Sequence, residues 1–215
     1  MPVRYEFERE LNRLHKDIVK MGAFIEESIT DMITALKTND TELANHVIQN
    51  DDLIDDMERK IERECLIIIA RQQPIATDLR DITSILKIVT DLERIADHCE
   101  DISVYIKKMA NLEPVKEIVD TPIMADEVSR MIKDTIDAYV RKDLEFARQI
   151  IERDSNINAY YDKIVDDVIS IVEADAQKAR AGSYLMFIAK YLERMADHAT
   201  NICRWIIYYG TGEIQ

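Results

Sequence analysis

The sequence predicts an all-α protein built from two tandem, homologous three-helix bundles. Three observations lead to this fold class. Apolar residues recur at helical spacing over long stretches, the 215 residues include only four glycines and four prolines, and the second half of the chain repeats the first. Because glycine and proline interrupt helices, their scarcity favours a few long helices over many short elements.

The first half contains three segments in which apolar residues follow steps of three, four and seven, the spacing of a buried helical stripe. They run from about Arg4 to Lys37, from Thr41 to about Gln72 and from about Ala76 to Ala110. Asp40 is predicted to cap the second of these helices, because an aspartate at that position can accept hydrogen bonds from the first free N–H groups. Pro74 is predicted to end it.

Three more helical segments are predicted in the second half. They cover about Ile123–Arg141, Leu144–Lys178 and Ser183–Tyr209. The stretch from Asn111 to Thr121 has weak periodicity and is interpreted as the linker between the halves. Thr121 followed by Pro122 is typical of an N-cap with proline in the first helical position.

The two halves share a nearly identical block. Leu92–His98 reads LERIADH and Leu192–His198 reads LERMADH, which agree at six of seven positions. The middle helices also match: Asp51 corresponds to Asp154, and Ile54 to Ile157. A repeat of this length indicates duplication of a whole three-helix unit. We therefore predict two domains, residues 1–111 and residues 112–215.

Composition excludes several function classes. The formal net charge is -14, so nucleic acid and anionic lipid surfaces would repel the chain. No apolar run reaches the ~18 residues of a spanning helix, and the N-terminus lacks the apolar region of a signal peptide. The odd number of cysteines, each within an apolar helical pattern, predicts buried thiols in a reduced compartment: Cys65, Cys99 and Cys203.

Acidic residues four positions apart lie on one face of a helix. Glu93 and Asp97 form such a pair, with Asp101 predicted to continue the row, and Asp51 and Asp55 form another on the preceding helix. If the two helices pack through their apolar faces, the acidic rows converge. The second half offers a corresponding set: Asp154, Asn158, Glu193 and Asp197.

Carboxylates held close together require compensation by protons, by basic side chains or by a metal. An oxygen-rich set favours hard cations over metals that prefer sulfur ligands. Arg94 and Arg194 are within helical reach of Asp97 and Asp197, so a lattice of ion pairs fits the same spacing. His98 and His198 lie on the other flank of the apolar stripe, where surface or interhelical hydrogen bonding is favoured over metal ligation.

The chain resembles the PhoU family across nearly its whole length. The resemblance lies in Met21-Gly22, in Gln73–Arg80, in the two LERxADH blocks and in the ending Ile206–Glu213. It implies a cytoplasmic regulator without catalytic residues, which restrains the phosphate-specific ABC transporter and helps to keep a sensor histidine kinase inactive when phosphate is plentiful. The expected partners are the transporter's ATPase subunit, the kinase and a second copy of the chain.

The resemblance also implies metal binding, since some family members hold multinuclear clusters on paired acidic motifs. Carried over to this chain, the ligands would be Asp51, Asp55, Glu93 and Asp97, then Asp154, Asn158, Glu193 and Asp197. The metal would be divalent or trivalent, such as iron or zinc. Asn158 weakens the second set, because a neutral amide replaces a carboxylate.

Two other classes remain open from the residues. One is a di-metal carboxylate enzyme on a helical bundle, which uses Glu-x-x-His pairs; here each histidine follows its glutamate by five residues. The other is a metal-free structural adaptor. The sequence carries no glycine-rich phosphate loop and no nucleophile motif.

Overall fold

The computed structural model describes residues 2–113 and 120–213. The first half forms three long helices, as predicted: α1 (Pro2–Thr38), α2 (Thr41–Gln72) and α3 (Thr77–Met109). The carboxylate of Asp40 accepts hydrogen bonds from the backbone N–H groups of Glu42 and Leu43, which confirms the predicted cap. The predicted linker residues 114–119 lie outside the described residues.

The second half forms α4 (Asp120–Arg141), α5 (Leu144–Glu152), α6 (Asp154–Ala174) and α7 (Ala179–Thr211), with a short 3₁₀ helix at Ala176–Lys178 before α7. Since α4 begins at Asp120, the prediction of Thr121 as an N-cap is wrong and Thr121 lies inside the helix. Pro122 still falls in the first turn, where its missing N–H costs nothing.

The predicted middle helix of the second half, Leu144–Lys178, is divided at Arg153. There the backbone N–H of Arg153 donates to the carbonyl oxygens of both Ile150 and Ile151, which tightens the helical turn. The guanidinium of Arg153 lies 2.5 Å from the carboxylate of Asp134 on α4, which ties the break to the neighbouring helix. The helix ends at Ala174, because Asp175 adopts an extended conformation and caps the 3₁₀ turn.

Each half is a three-helix bundle, and the bundles share one hydrophobic core. α3 packs along α7, and α1 packs against α4, so apolar side chains from both halves meet in one cluster. The close approach of α1 and α4 explains the glycine that interrupts the pattern of α1. A Cβ on Gly22 would lie 3.1 Å from Cδ1 of Ile136 on α4.

Two further expectations concern the thiols and the bilayer. All three cysteines are buried and free, as predicted for core residues. In the described ranges, no helix combines the length and the apolar character needed to cross a membrane. The long helices are amphipathic instead, with apolar stripes facing the core.

Candidate metal centre

Carboxylates from α2 and α3 converge in the first bundle. Asp51 and Asp55 lie one turn apart on α2, and Asp97 faces them from α3, which packs along α2. One carboxylate oxygen from each residue lies within 4.8 Å of the other two. All three residues are partly buried. The acidic rows that the sequence places on two helices therefore meet at one point.

Glu93 extends this group by one helical turn on α3. Its Oε2 atom is buried and accepts no hydrogen bond from the described residues. Burial, followed by the nearby charges of Asp97 and Glu58, raises the pKa of Glu93 to about 7. Nε of Arg94 lies 3.4 Å from this oxygen without forming a hydrogen bond, so part of the cost of burying it is left for a bound cation to remove.

Asp51 lies under similar electrostatic stress. Burial, followed by the charges of Asp97 and Glu100, raises the pKa of its carboxyl to about 7. Like charges this close disfavour simultaneous ionisation unless something positive compensates. The site thus holds more negative charge than its surroundings neutralise.

Two arginines neutralise part of this charge. The Arg94 guanidinium lies 2.8 Å from the Asp97 carboxylate and 3.4 Å from that of Glu93, and Arg59 pairs with Asp55. Both side chains are more than half exposed, so water screens their contribution. Ion pairs therefore exist as the spacing of Arg94 predicts, yet Glu93 and Asp51 retain raised pKa values.

The donor set fits a hard cation. Carboxylate oxygens are the preferred ligands of calcium, magnesium, manganese and oxidised iron, and three lie close enough together to share one ion. The set would hold the cation through Asp51, Asp55 and Asp97, with the buried Oε2 of Glu93 beside it.

Sequence reasoning missed two acidic residues near this group. Glu58 on α2 acts on Glu93, and Glu100 on α3 acts on Asp51. Both could have been found from helical geometry, because Glu58 follows Asp51 by seven positions and Glu100 follows Glu93 by seven positions. A residue seven positions after Glu93 is rotated by only about 20° around the helix axis, whereas one eight positions later is rotated by about 80°.

The same geometry removes Asp101 from the row in which it was predicted. Its Oδ2 atom lies 3.5 Å from Nδ1 of His98, and burial raises the pKa of its carboxyl, a rise that the nearby cations Arg194 and Lys108 partly oppose. Asp101 therefore belongs to the seam between α3 and α7. Glu100 occupies the position along the row that was assigned to Asp101.

The two histidines of the repeated block meet in this seam. The rings of His98 and His198 have centroids 5.6 Å apart, and His198 Nδ1 lies 2.8 Å from the carboxylate of Asp91. Burial, followed by the charge of His198, lowers the pKa of His98 to about 4. The histidines thus join the two bundles in the α3–α7 seam, where the carboxylates beside them are those of Asp91 and Asp101.

The second bundle brings together the corresponding residues with less negative charge. Asp197 is close enough to Glu193 and Asp154 that, after burial, their charges raise its pKa. Asn158, however, donates a 3.0 Å hydrogen bond from Nδ2 to Asp154. The Lys190 ammonium lies 2.6 Å from Oε2 of Glu193. Asn158 and Lys190 thus compensate part of the second set, as Arg94 and Arg59 do in the first, while Oδ1 of Asp154 accepts no hydrogen bond from the described residues.

These features define a class: a helical protein of two fused three-helix bundles, each with an acidic cluster where two helices pack, α2 with α3 in the first and α6 with α7 in the second. The family model for the PhoU domain matches the chain twice, at residues 18–106 and 121–206. The chain belongs to the PhoU family.

Relatives of known name agree with this assignment. A phosphate-specific transport system accessory protein PhoU homolog from Clostridium acetobutylicum is 40% identical over 211 residues, which span 96% of this chain and 95% of the relative. The corresponding homolog from Aquifex aeolicus is 35% identical over 206 residues, with 96% and 93% covered.

Solved structures show the same architecture. The crystal structure of PhoU from Pseudomonas aeruginosa matches with a TM-score of 0.93 and 31% identity, covering 96% of this chain and 100% of that one. The phosphate transport system regulatory protein PhoU from Streptococcus pneumoniae matches with a TM-score of 0.89 and 27% identity, covering 97% and 99%.

Proposed function

We propose that this chain is a non-enzymatic regulator of phosphate uptake and phosphate homeostasis. The observation that carries the proposal is the 40% identity, across 96% of the chain, to a protein named as an accessory of the phosphate-specific transport system. The regulator would act in the cytoplasm, restrain the phosphate ABC transporter through its ATPase subunit and help to hold a sensor histidine kinase inactive. A homodimer is the proposed assembly.

We further propose that the first acidic cluster, formed by Asp51, Asp55, Glu93 and Asp97 between α2 and α3, binds a divalent or trivalent cation. Support comes from the convergence of Asp51, Asp55 and Asp97 and from the buried Oε2 of Glu93, which has an ionic contact with Arg94 but accepts no hydrogen bond from the described residues. A bound cation would neutralise mutual repulsion and fix α2 against α3. In a regulator this would set the shape of the surface that partners contact, without any reaction at the metal.

The second acidic set, Asp154, Asn158, Glu193 and Asp197, is the weaker candidate. The amide of Asn158 and the ammonium of Lys190 already satisfy part of its oxygens. We therefore propose that the first bundle holds its cation more tightly than the second.

A deletion strain complemented with matched variants tests the regulatory proposal. The readouts are phosphate uptake and the transcription of a phosphate-starvation gene at high phosphate. The proposal predicts loss of repression in the deletion strain and full rescue by the wild-type chain. Asp51→Asn with Asp97→Asn should rescue poorly, and Asp154→Asn with Asp197→Asn should rescue well. Unchanged uptake and transcription in the deletion strain would contradict the regulatory role.

The two alternatives make different predictions. A di-metal enzyme would consume oxygen steadily after loading with iron, but the seam position of His98 and His198 gives the carboxylates no histidine partner of that type. A metal-free adaptor would bind the transporter equally well with and without a chelator. Oxygen uptake and pull-down of the ATPase subunit in chelator separate the three cases.

A further inference from the structure

A groove with a volume of about 730 Å³ runs along the outer face of the first bundle, between α1 and α2. It borders the acidic centre, because Arg59, one of its lining residues, pairs with Asp55. Its walls carry five basic side chains: Arg13, Arg59, Lys60, Arg63 and Arg71.

Basic side chains dominate the exposed surface of this groove. The chain as a whole has 28 basic and 42 acidic residues, yet only three carboxylates line the groove, those of Glu10, Asp56 and Glu64. Each of the three is already paired with an arginine of the groove. Asp55 and Asp17 pair with Arg59 and Lys60 from the edge of the groove, so the formal charges balance. The basic side chains are more exposed than all of these carboxylates except Asp56, so the surface that a ligand meets is mainly positive.

Arg63 is the cation most open to a partner. It is exposed on the middle of α2, and none of the described carboxylates forms an ion pair with it. The four other basic side chains are also more than half exposed, so their free N–H groups face solvent. An acidic ligand could reach all of them without unfolding any part of the bundle.

Apolar side chains continue the groove along the same pair of helices. Ile67 lies among the arginines and is 44% exposed, and a second depression of about 340 Å³ adjoins the first at Asp56 and Lys60. Phe24 and Leu53 line that depression and are 36% and 55% exposed. From Leu53 to Arg71 the surface extends for about 27 Å along α2, or about five helical turns.

We infer that the α1–α2 groove docks an acidic amphipathic helix of a partner protein. Charge complementarity favours acidic side chains on the occupant, and the exposed Ile67, Phe24 and Leu53 favour an apolar stripe beside them. The length fits a helix of about 18 residues, which would lie along the groove between α1 and α2.

A small inorganic anion explains these features less well. A phosphate site needs several convergent and partly buried donors, whereas the groove cations are spread along five turns of helix and stand in solvent. The apolar residues would also have no role. The docking inference depends on no bound cation, and its test is carried out in excess chelator.

The test uses the full chain and a fluorescein-labelled synthetic 18-residue helix with glutamates on one face and leucines on the other. Fluorescence anisotropy measures its Kd. Arg63→Glu is expected to weaken binding about tenfold, because the reversal removes an attraction and adds a repulsion. Ile67→Ser is expected to weaken it about fivefold through lost apolar contact.

Matched controls carry the same chemical changes elsewhere. Arg180→Glu reverses an exposed charge at the start of α7, and Ile169→Ser replaces an isoleucine on α6 that is 47% exposed. Both should change the Kd by less than about twofold. Circular dichroism of all four variants verifies that the helices are intact. A peptide with lysine in place of glutamate should not bind.

Three results would overturn the inference. Equal binding to Arg63→Glu and Arg180→Glu would mean that the groove is not the site. Insensitivity to Ile67→Ser would reduce the interaction to general charge attraction. Displacement of the peptide by millimolar inorganic phosphate, at constant ionic strength, would assign the groove to a small anion.

Discussion

The two acidic clusters share a backbone arrangement and differ in charge. In the aligned repeats, Asp51 and Asp97 correspond to Asp154 and Asp197, and both pairs lie between the second and third helices of their bundle. Around them the residues diverge. Asp55, Glu58, Thr90 and Glu100 in the first bundle correspond to Asn158, Tyr161, Lys190 and Thr200 in the second.

The comparison separates what maintains the fold from what determines cation affinity. The apolar stripe of the repeated block packs the same way in both halves, with Leu92 and Leu192 almost fully buried. At the second site, Asn158 donates a hydrogen bond to Asp154, and the Lys190 ammonium neutralises Glu193 from within the chain. The first site retains its surplus of carboxylates, which is the reason to expect a cation there.

The largest expected effect is the loss of stability when the core leucine of either repeated block is truncated. Leu92→Ala and Leu192→Ala should each lower the free energy of unfolding by about 2–5 kcal/mol, because each leaves a cavity in the common core. Urea denaturation monitored by circular dichroism measures both. A cost for one variant below a third of the other would show that the halves are not packed equivalently.

Cation affinity should distinguish the two sites. Loss of a group that only orients a metal ligand costs about 10–100-fold in affinity, so Asp51→Asn with Asp97→Asn, which removes two direct ligands, should weaken Mn²⁺ binding at least ~100-fold. Asp154→Asn with Asp197→Asn is the matched control and should have a small effect. Equilibrium dialysis gives both values. Equal losses from the two pairs would remove the proposed difference.

The pH dependence of stability should reveal the carboxylate surplus of the first site. Because Asp51 and Glu93 have pKa values near 7 in the folded state, against 3.8 and 4.5 without perturbation, the folded protein binds their protons more tightly than the unfolded chain does. Their contribution to stability is fully present below about pH 4 and is lost as the pH rises through 7.

Metal-free protein should therefore lose about 1 kcal/mol of unfolding free energy per group between pH 4 and pH 8, after allowance for solvent screening. Asp51→Asn with Glu93→Gln should flatten the profile. Urea titrations at several pH values in excess chelator measure it. A wild-type profile as flat as that of the variant would mean that the carboxylates are not under strain.

The smallest expected effect is a gain. In the Asp51→Asn, Asp97→Asn background, the further changes Asn158→Asp and Lys190→Thr give the second acidic cluster two features of the first. Removal of the ammonium and addition of a carboxylate should raise Mn²⁺ affinity severalfold over that background. Dialysis again measures it. No gain would show that Tyr161 and Thr200, which remain, also matter.

Much of this could be predicted from the sequence, because duplication displays the same pattern twice. Long apolar stripes predicted the helices, the repeated block predicted the two bundles, and four-residue spacing predicted that Asp51, Asp55, Glu93 and Asp97 converge. These inferences use only helical periodicity and the assumption that apolar faces pack together. The domain boundary at residues 111 and 112 stays a prediction.

The remainder depended on which side chains meet across helices. Asp101 was assigned to the acidic row because rotation per residue was neglected, and the same neglect hid Glu100. The break at Arg153 depends on its pairing with Asp134 of another helix. The cationic groove was missed because its arginines come from two helices, and only their packing places Arg13 of α1 beside Arg63 of α2.

Anomalous diffraction from crystals soaked in MnCl₂ tests most directly whether the first acidic cluster holds a cation. The account predicts the strongest anomalous peak between Asp51, Asp55 and Asp97, with a weaker peak or none near Asp154 and Asp197. A map with no peak at the first acidic cluster, or with its strongest peak at the second, would contradict cation binding by the first cluster.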